Sequence, residues 1–188
     1  MRALVLGILI LTSWGWACAQ ASIQQIDFKN FTYPLSGPTL THDQLKWPDP
    51  SKAGNLKLIN GRHIAEPLEF TLKFVKFVDV TGHGNNDAIV VIHLDTGDTQ
   101  EADYVYIYGF DAGKPKLLAY CYTSGRGYSG LSRVYGKGGE LIFELFDPAK
   151  EREEDGFMRY VRMRYEWRNG RFEAIGTRKL AVREIPIQ

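Results

Sequence analysis

Residues 88–94 read Ala-Ile-Val-Val-Ile-His-Leu, and residues 104–108 read Tyr-Val-Tyr-Ile-Tyr. The first run is almost entirely apolar, as in a central strand that is buried on both of its faces. The second run alternates aromatic and aliphatic side chains with a period of two, which is typical of a strand. These two runs therefore predict a β-protein in which at least one strand lies inside the sheet.

The same period of two extends outward from these runs over most of the chain. Turn signals separate the short strands, and the pairs Asn60-Gly61 and Asn169-Gly170 tolerate the positive φ angles that a tight hairpin turn requires. About ten strands are expected, without a convincing amphipathic helix. The pattern predicts an all-β fold, an antiparallel meander that forms a sandwich or an open barrel.

Composition and charge narrow the class of protein further. The chain has 188 residues, of which 44% are hydrophobic and 24% charged, and these values are typical of a globular protein rather than a disordered or collagen-like one. The 23 basic residues nearly balance the 22 acidic ones. A balanced charge gives no net attraction to nucleic acid, so no nucleic-acid partner is predicted.

The first 19 residues are predicted to be a secretory signal peptide. A basic Arg2 precedes the apolar run 3–11, and small residues at positions 17 and 19 favour cleavage after Ala19. The apolar run is much shorter than the roughly 20 residues that a membrane-spanning helix needs. We therefore expect a single all-β domain over residues 20–188, without a transmembrane segment once the signal is removed.

The signal peptide predicts that the protein is periplasmic or secreted and comes from a bacterial cell. Cys18 leaves a second possibility open, because a lipoprotein signal also ends at a cysteine and the chain would then be lipid-anchored there. If Cys18 leaves with the signal peptide, Cys121 is the one cysteine that remains. A single thiol cannot form an internal disulfide, so the domain must depend on its hydrophobic core.

The most distinctive motif is the loop 79–87, which reads Asp-Val-Thr-Gly-His-Gly-Asn-Asn-Asp. Together with the flanking residues 76–120 it resembles the calcium loop D-x-[DN]-x-[DN]-G-x-x-D of FG-GAP and VCBS repeats, the blades of integrin-type propellers. Only one copy is present, so a complete propeller is excluded. The ligands that the resemblance implies are Asp79, Thr81, His83, Asn85 (through its carbonyl) and Asp87.

Two interpretations of this loop remain open. Thr81 and His83 stand where the family has acidic or amide side chains, so any calcium should bind weakly, with a dissociation constant of about 10⁻⁴ to 10⁻³ M. Alternatively, the loop binds no cofactor and is a glycine-rich connection. In that case its glycines supply positive φ angles and its two aspartates accept hydrogen bonds from nearby backbone N–H groups.

Two tyrosine-rich strands and the loop that follows them are candidates for ligand binding. Side chains at alternate positions share one face of a strand, so these tyrosines could form an aromatic platform for a glycan, a peptide or an envelope protein. The alternative is that the rings pack across strands within the core. The candidate residues are Tyr104, Tyr106, Tyr108, Tyr120, Tyr122, Arg126 and Tyr128.

Alternating arginines mark a third feature near the C-terminus. Arg162, Arg164 and Arg168 share one face of a strand, and Glu140 and Glu144 on the preceding strand are placed to pair with them. The pattern favours cross-strand ion pairs over an anion-binding patch, because the total charge is balanced.

Searches for catalytic patterns find neither a zinc-protease motif nor a Walker loop, and no catalytic residue is assigned. The chain is therefore expected to be a non-catalytic binding or interaction module. The alternative is a hydrolase that acts on envelope or extracellular polymers through an Asp/Glu pair, since such a pair is invisible in one sequence.

Overall fold

The structure is a computed structural model that describes residues 22–40, 54–97, 101–124, 130–147 and 157–183. The predicted signal peptide, residues 1–19, and Cys18 lie outside the described residues. Two short 3₁₀ turns, Ile23–Gln25 and Phe28–Asn30, precede the strands. The strands within these ranges are β1 (Thr32–Pro34), β2 (Asn55–Lys57), β3 (Arg62–Ala65), β4 (Leu68–Val78), β5 (Asp87–Asp95), β6 (Glu101–Asp111), β7 (Lys114–Ser124), β8 (Leu131–Lys137), β9 (Glu140–Phe146), β10 (Phe157–Arg168) and β11 (Arg171–Arg183).

The predicted antiparallel all-β fold is confirmed, with 11 strands in the described residues against the ten expected. They form a five-stranded sheet in the order β3-β4-β5-β6-β7, a four-stranded sheet in the order β11-β10-β9-β8 and a two-stranded sheet of β1 and β2. Each of the two larger sheets is a meander in which consecutive strands pair. None of the described helices is both long and apolar enough to cross a membrane.

The centre of the five-stranded sheet is buried on both faces, as the apolar run 88–94 of β5 predicts. On one face its aliphatic side chains pack against the inner face of the four-stranded sheet, and we call this the aliphatic core. Strand β6 contributes Val105 and Ile107 to it, and β9 contributes Leu141 and Phe143 from the opposite sheet. All four side chains are inaccessible to solvent. This sandwich is where most of the aliphatic surface is removed from water.

The other face of the same sheet is covered by the N-terminal segment, residues 22–35, together with residues 56–58. Ile23, Phe28 and Tyr33 of this segment pack on tyrosines of β6 and β7. We call this second cluster the aromatic core. The ring centroids of Tyr33 and Tyr106 are 5.0 Å apart, and those of Phe28 and Tyr108 are 5.7 Å apart.

One glycine allows the two sheets to approach closely near the end of β4. A Cβ atom on Gly136 of β8 would lie 2.7 Å from a methyl carbon of Val80 and 2.8 Å from one of Val78. Such distances are shorter than van der Waals contact, so a larger residue would push the strands apart. The close approach fixes the start of the loop 79–87 against the four-stranded sheet.

Candidate functional site

The loop 79–87 connects β4 to β5 and is organised by its two aspartates. Asp87 is buried, and its Oδ2 accepts hydrogen bonds from the backbone N–H of Val80 (3.0 Å), the backbone N–H of Thr81 (3.0 Å) and the Thr81 hydroxyl (2.9 Å). Most buried polar groups are hydrogen-bonded in this way, because an unpaired one loses its hydration without compensation. Asp87 therefore closes the loop onto its own first residues.

Asp79 holds the other half of the loop. Its Oδ1 accepts from the N–H of Gly82 at 2.7 Å and from that of Thr81 at 3.2 Å, and its Oδ2 accepts from the N–H of Gly84 at 2.8 Å. Gly82 and Gly84 have φ angles of 73° and 81°, in the left-handed region that favours glycine. The motif D-x-x-G-x-G is thus explained by the turn that it forms.

The two carboxylates titrate in opposite directions. Burial raises the pKa of Asp87 above its usual value, although its three hydrogen bonds oppose the shift. Burial also raises the pKa of Asp79, but the backbone N–H groups of Gly84 and Gly82 and their neighbours more than offset it, and the net pKa is lowered. The N–H dipoles of the loop therefore hold Asp79 in its charged form.

These contacts test the fit of the calcium ligands that the resemblance implies. Oxygens of Asp79 and Asp87 both lie about 3 Å from the N–H of Thr81, so the loop does bring the two carboxylates together. N–H donors already occupy both oxygens of Asp79 and one oxygen of Asp87, and His83 and Asn85 are exposed. This arrangement fits calcium poorly and favours the glycine-rich turn, and calcium binding stays a prediction.

A pocket of about 400 Å³ lies beside this loop, between it and the first turn of the N-terminal segment. Its size falls in the range of small-molecule sites. Amide and hydroxyl side chains, together with one phenyl ring, dominate the described part of the lining, and none of its seven residues is ionisable. The lining residues are Ser22, Ile23, Gln24, Gly84, Asn85, Asn86 and Phe110.

The predicted tyrosine platform is formed as a stack of rings, but most of it is not at the surface. Tyr106, Tyr108 and Tyr120 are at most 2% exposed and belong to the aromatic core. The physical reason is the N-terminal segment, which covers this face of the sheet and places Tyr33 against Tyr106. The expectation that these three rings face a ligand is therefore corrected: they face the interior of the protein.

Two other tyrosines of the prediction lie nearer the surface. Tyr104 and Tyr122 are half-buried and stack with ring centroids 5.8 Å apart, and Phe70 extends the group at 6.1 Å from Tyr104. The two remaining candidates, Arg126 and Tyr128, lie outside the described residues.

Sequence reasoning missed a polar cluster on β4, β5 and β6. The carboxylate of Asp103 is nearly buried, and its Oδ1 lies 2.9 Å from Nζ of Lys73 and 3.0 Å from Nδ1 of His93. Thr123 stands opposite Asp103 on β7, and its buried hydroxyl has no hydrogen-bond partner among the described residues. His93 lies within the apolar run 88–94, and only the sheet register, which places it opposite Asp103, reveals its partner.

The predicted ion pairs on the outer face of the four-stranded sheet are confirmed. Glu144 accepts a hydrogen bond from Nε of Arg162 at 2.8 Å, and Glu140 accepts one from Nε of Arg164 at 2.7 Å. Arg168 pairs instead with Glu166, its neighbour on the same strand. In the described residues no group of three His, Cys, Asp or Glu side chains is placed to share a metal ion.

Known protein families, curated proteins and solved structures were all compared with this chain, and none of them matches it. The function must therefore be inferred from the chemistry of the pocket, the loop and the sheet faces.

Proposed function

We propose that the protein is an exported bacterial binding module that takes a neutral, polar ligand, such as a short glycan, in the pocket beside the loop 79–87. One observation carries the proposal. The pocket combines amide side chains with a phenyl ring, and none of the described residues in its lining is ionisable. Sites of this kind orient a ligand through a few polar groups and bind it through apolar contact.

The lining residues match the surface of a sugar ring. Each amide of Gln24, Asn85 and Asn86 offers both donors and an acceptor, so it can satisfy a hydroxyl in either role. Phe110 offers an apolar surface for the C–H face of a ring, which gains from leaving water. A charged ligand would find no counter-charge in this lining and would lose hydration without compensation.

The loop contacts would make such a site rigid before a ligand arrives. Asp79 fixes the N–H groups of Gly82 and Gly84, and Asp87 fixes Val80 and Thr81. The two asparagines follow directly after this anchored stretch. A preorganised loop loses less conformational entropy on binding, which favours affinity.

The proposal is tested by titrating the mature protein with neutral oligosaccharides, such as chitohexaose and maltohexaose, in a calorimeter. We expect at least one of them to bind, and Asn86→Ala and Phe110→Ala each to weaken binding about tenfold, the equivalent of about 1.4 kcal/mol. Asn55→Ala is the matched control, because Asn55 is exposed on β2 and does not line the pocket. If Asn86→Ala and Phe110→Ala bound the oligosaccharide as tightly as the control Asn55→Ala, the pocket would not be the binding site.

A hydrolase is the second candidate, and one observation favours it. Asp79 and Asp87 are close together and their pKa values are shifted in opposite directions, as in the acid and base pairs of glycosidases. Neither carboxylate lines the pocket, however, and both are engaged by their own loop. Release of reducing sugar from the same oligosaccharides, abolished by Asp87→Asn, would decide for this candidate; binding without release would decide against it.

A further inference from the structure

A row of charged side chains crosses all four strands on the outer face of the four-stranded sheet. Arg178 of β11 stands opposite Arg162 of β10, Arg162 stands opposite Glu144 of β9, and Glu144 stands opposite Arg133 of β8. Residues directly opposite one another share a face, with Cβ atoms about 5 Å apart. We call Arg133, Arg162 and Arg178 the arginine row.

The arginine row has a surplus of positive charge. The one acidic residue between these arginines, Glu144, is only 7% exposed and is engaged by Arg162 and by the hydroxyl of Tyr135. Arg133 lies 4.0 Å from Glu144 with its side chain 75% exposed, and exposed ion pairs of that length contribute little. Arg178 is exposed and forms no ion pair with any described residue.

The charges farther along the same face are largely neutralised by contrast. Ion pairs join Arg164 to Glu140, Arg168 to Glu166 and Arg171 to Glu173. Farther along the face, Lys137 is the one cation without an ion pair to a described residue, so the positive surplus is larger in the arginine row, although the chain as a whole is almost neutral. A local surplus of this kind attracts anionic groups even when the net charge does not.

An aromatic pair lies next to the arginine row. Phe146 stands opposite Tyr160, two residues farther along both strands, and their ring centroids are 5.4 Å apart. Phe146 is 39% exposed, so its ring is available for contact with a ligand. We call Phe146 and Tyr160 the aromatic step. Two residues of a strand span about 7 Å, so the aromatic step and the arginine row lie within the length of a sugar residue and its substituent.

We infer that this face binds an acidic polysaccharide. Successive carboxylate or sulfate groups of the polymer meet Arg178 on β11 and Arg133 on β8, and each guanidinium group can bind one of them through two parallel hydrogen bonds. The C–H face of the adjoining sugar ring packs on Phe146 and Tyr160. The surface is a flat sheet that crosses four strands, about 14 Å from edge to edge, which suits an extended chain rather than a compact ligand.

The observations favour a polysaccharide over a membrane as the occupant. A membrane surface would require several exposed apolar side chains for insertion, whereas the aromatic step is one exposed ring and its half-buried neighbour. The inference does not depend on the neutral-ligand pocket, because Asn86 and Phe110 belong to a different part of the molecule.

The test is a titration of the mature protein with alginate oligosaccharides, which have a carboxylate on every ring, at low ionic strength. We expect alginate to bind and its affinity to fall as salt is added. Arg178→Ala should lower the affinity about tenfold, and Phe146→Ala should lower it about fivefold. Lys116→Ala removes an exposed charge from β7 of the other sheet and is expected to leave the affinity unchanged. Melting curves of the three variants establish that each is folded.

Four outcomes would overturn the inference. The first is absence of alginate binding by the wild-type protein, and the second is an equal loss in Lys116→Ala. The third is an unchanged affinity in Phe146→Ala, which would reduce the face to simple ion exchange. The fourth is tighter binding to vesicles of phosphatidylcholine with phosphatidylglycerol than to alginate, since that would assign the face to a membrane. The variant Asn86→Ala separates the two proposals, because it is expected to affect only the pocket.

Discussion

The two faces of the five-stranded sheet differ more than the alternation along its strands suggests. On β6, Val105 and Ile107 face the aliphatic core, while Tyr106 and Tyr108 face the aromatic core one residue away. The first face is covered by a regular sheet. The second is covered by a segment with two short 3₁₀ turns and one short strand pair.

The difference shows how one sheet can serve two kinds of cover. An aliphatic face needs only complementary shape, and the strands of the second sheet provide it. A tyrosine face also brings hydroxyl groups into the interior, and an irregular segment has free carbonyls to receive them. The hydroxyls of Tyr33 and Tyr120 donate to the carbonyls of Phe28 and Leu35, both at 2.6 Å.

The largest expected difference between the two cores is the cost of removing a phenyl ring. Phe143→Ala in the aliphatic core should lower the free energy of unfolding by about 3–5 kcal/mol, because two regular sheets cannot close the cavity. Phe28→Ala in the aromatic core should cost less, about 2–3 kcal/mol, because the N-terminal segment can relax into the space. Urea unfolding at unchanged m-value measures both. An equal cost would mean that the segment is as rigid as a sheet.

High pH should attack the aromatic core first. Burial raises the pKa of Tyr106 and Tyr108 above the usual value of about 10. Folding favours the neutral form of these tyrosines. Their contribution to the free energy of unfolding is therefore complete below about pH 10 and is lost as the pH rises further. Each such tyrosine then lowers the free energy of unfolding by about 1.4 kcal/mol for each pH unit.

The measurement is tyrosinate absorbance followed together with circular dichroism. Five of the nine tyrosines that the structure describes are buried, four of them in the aromatic core, and these should ionise only as the chain unfolds. Ionisation of all ten near pH 10 in a folded protein would show that the N-terminal segment does not cover the sheet.

The hydroxyl groups allow a finer comparison within the aromatic core. Tyr120→Phe removes the donor to the Leu35 carbonyl and should cost about 1 kcal/mol. The hydroxyl of Tyr106 is buried without a hydrogen-bond partner among the described residues, so Tyr106→Phe should be neutral or stabilise the protein by about 1 kcal/mol. Thermal melting of the two variants measures the difference. A loss of stability in both would mean that the Tyr106 hydroxyl has a bound water as its partner.

The sequence predicts the features that repeat with a period of two, but it does not predict the cover of the aromatic core. Alternation along residues 104–108 places the tyrosines on one face, and cross-strand spacing predicts the pair between Glu144 and Arg162. The cover of the aromatic core has no period to detect. The pocket is equally invisible, because residues 22–24, 84–86 and 110 meet only in the folded chain.

The loop 79–87 is where the two sides of the sheet meet, and it gives the smallest expected effect. Val80 is buried in the aliphatic core, whereas Asn85 and Asn86 border the pocket beside the N-terminal segment. N–H groups already occupy the oxygens of Asp79, so we expect about 10 mM calcium to leave the melting temperature unchanged. This concentration is about ten times the highest dissociation constant expected for such loops. Asp79→Ala should destabilise the protein equally with and without calcium. A rise in melting temperature that Asp79→Ala abolishes would instead establish the loop as a cation site, and the N–H groups of Gly82 and Gly84 would then have to turn away from the carboxylate.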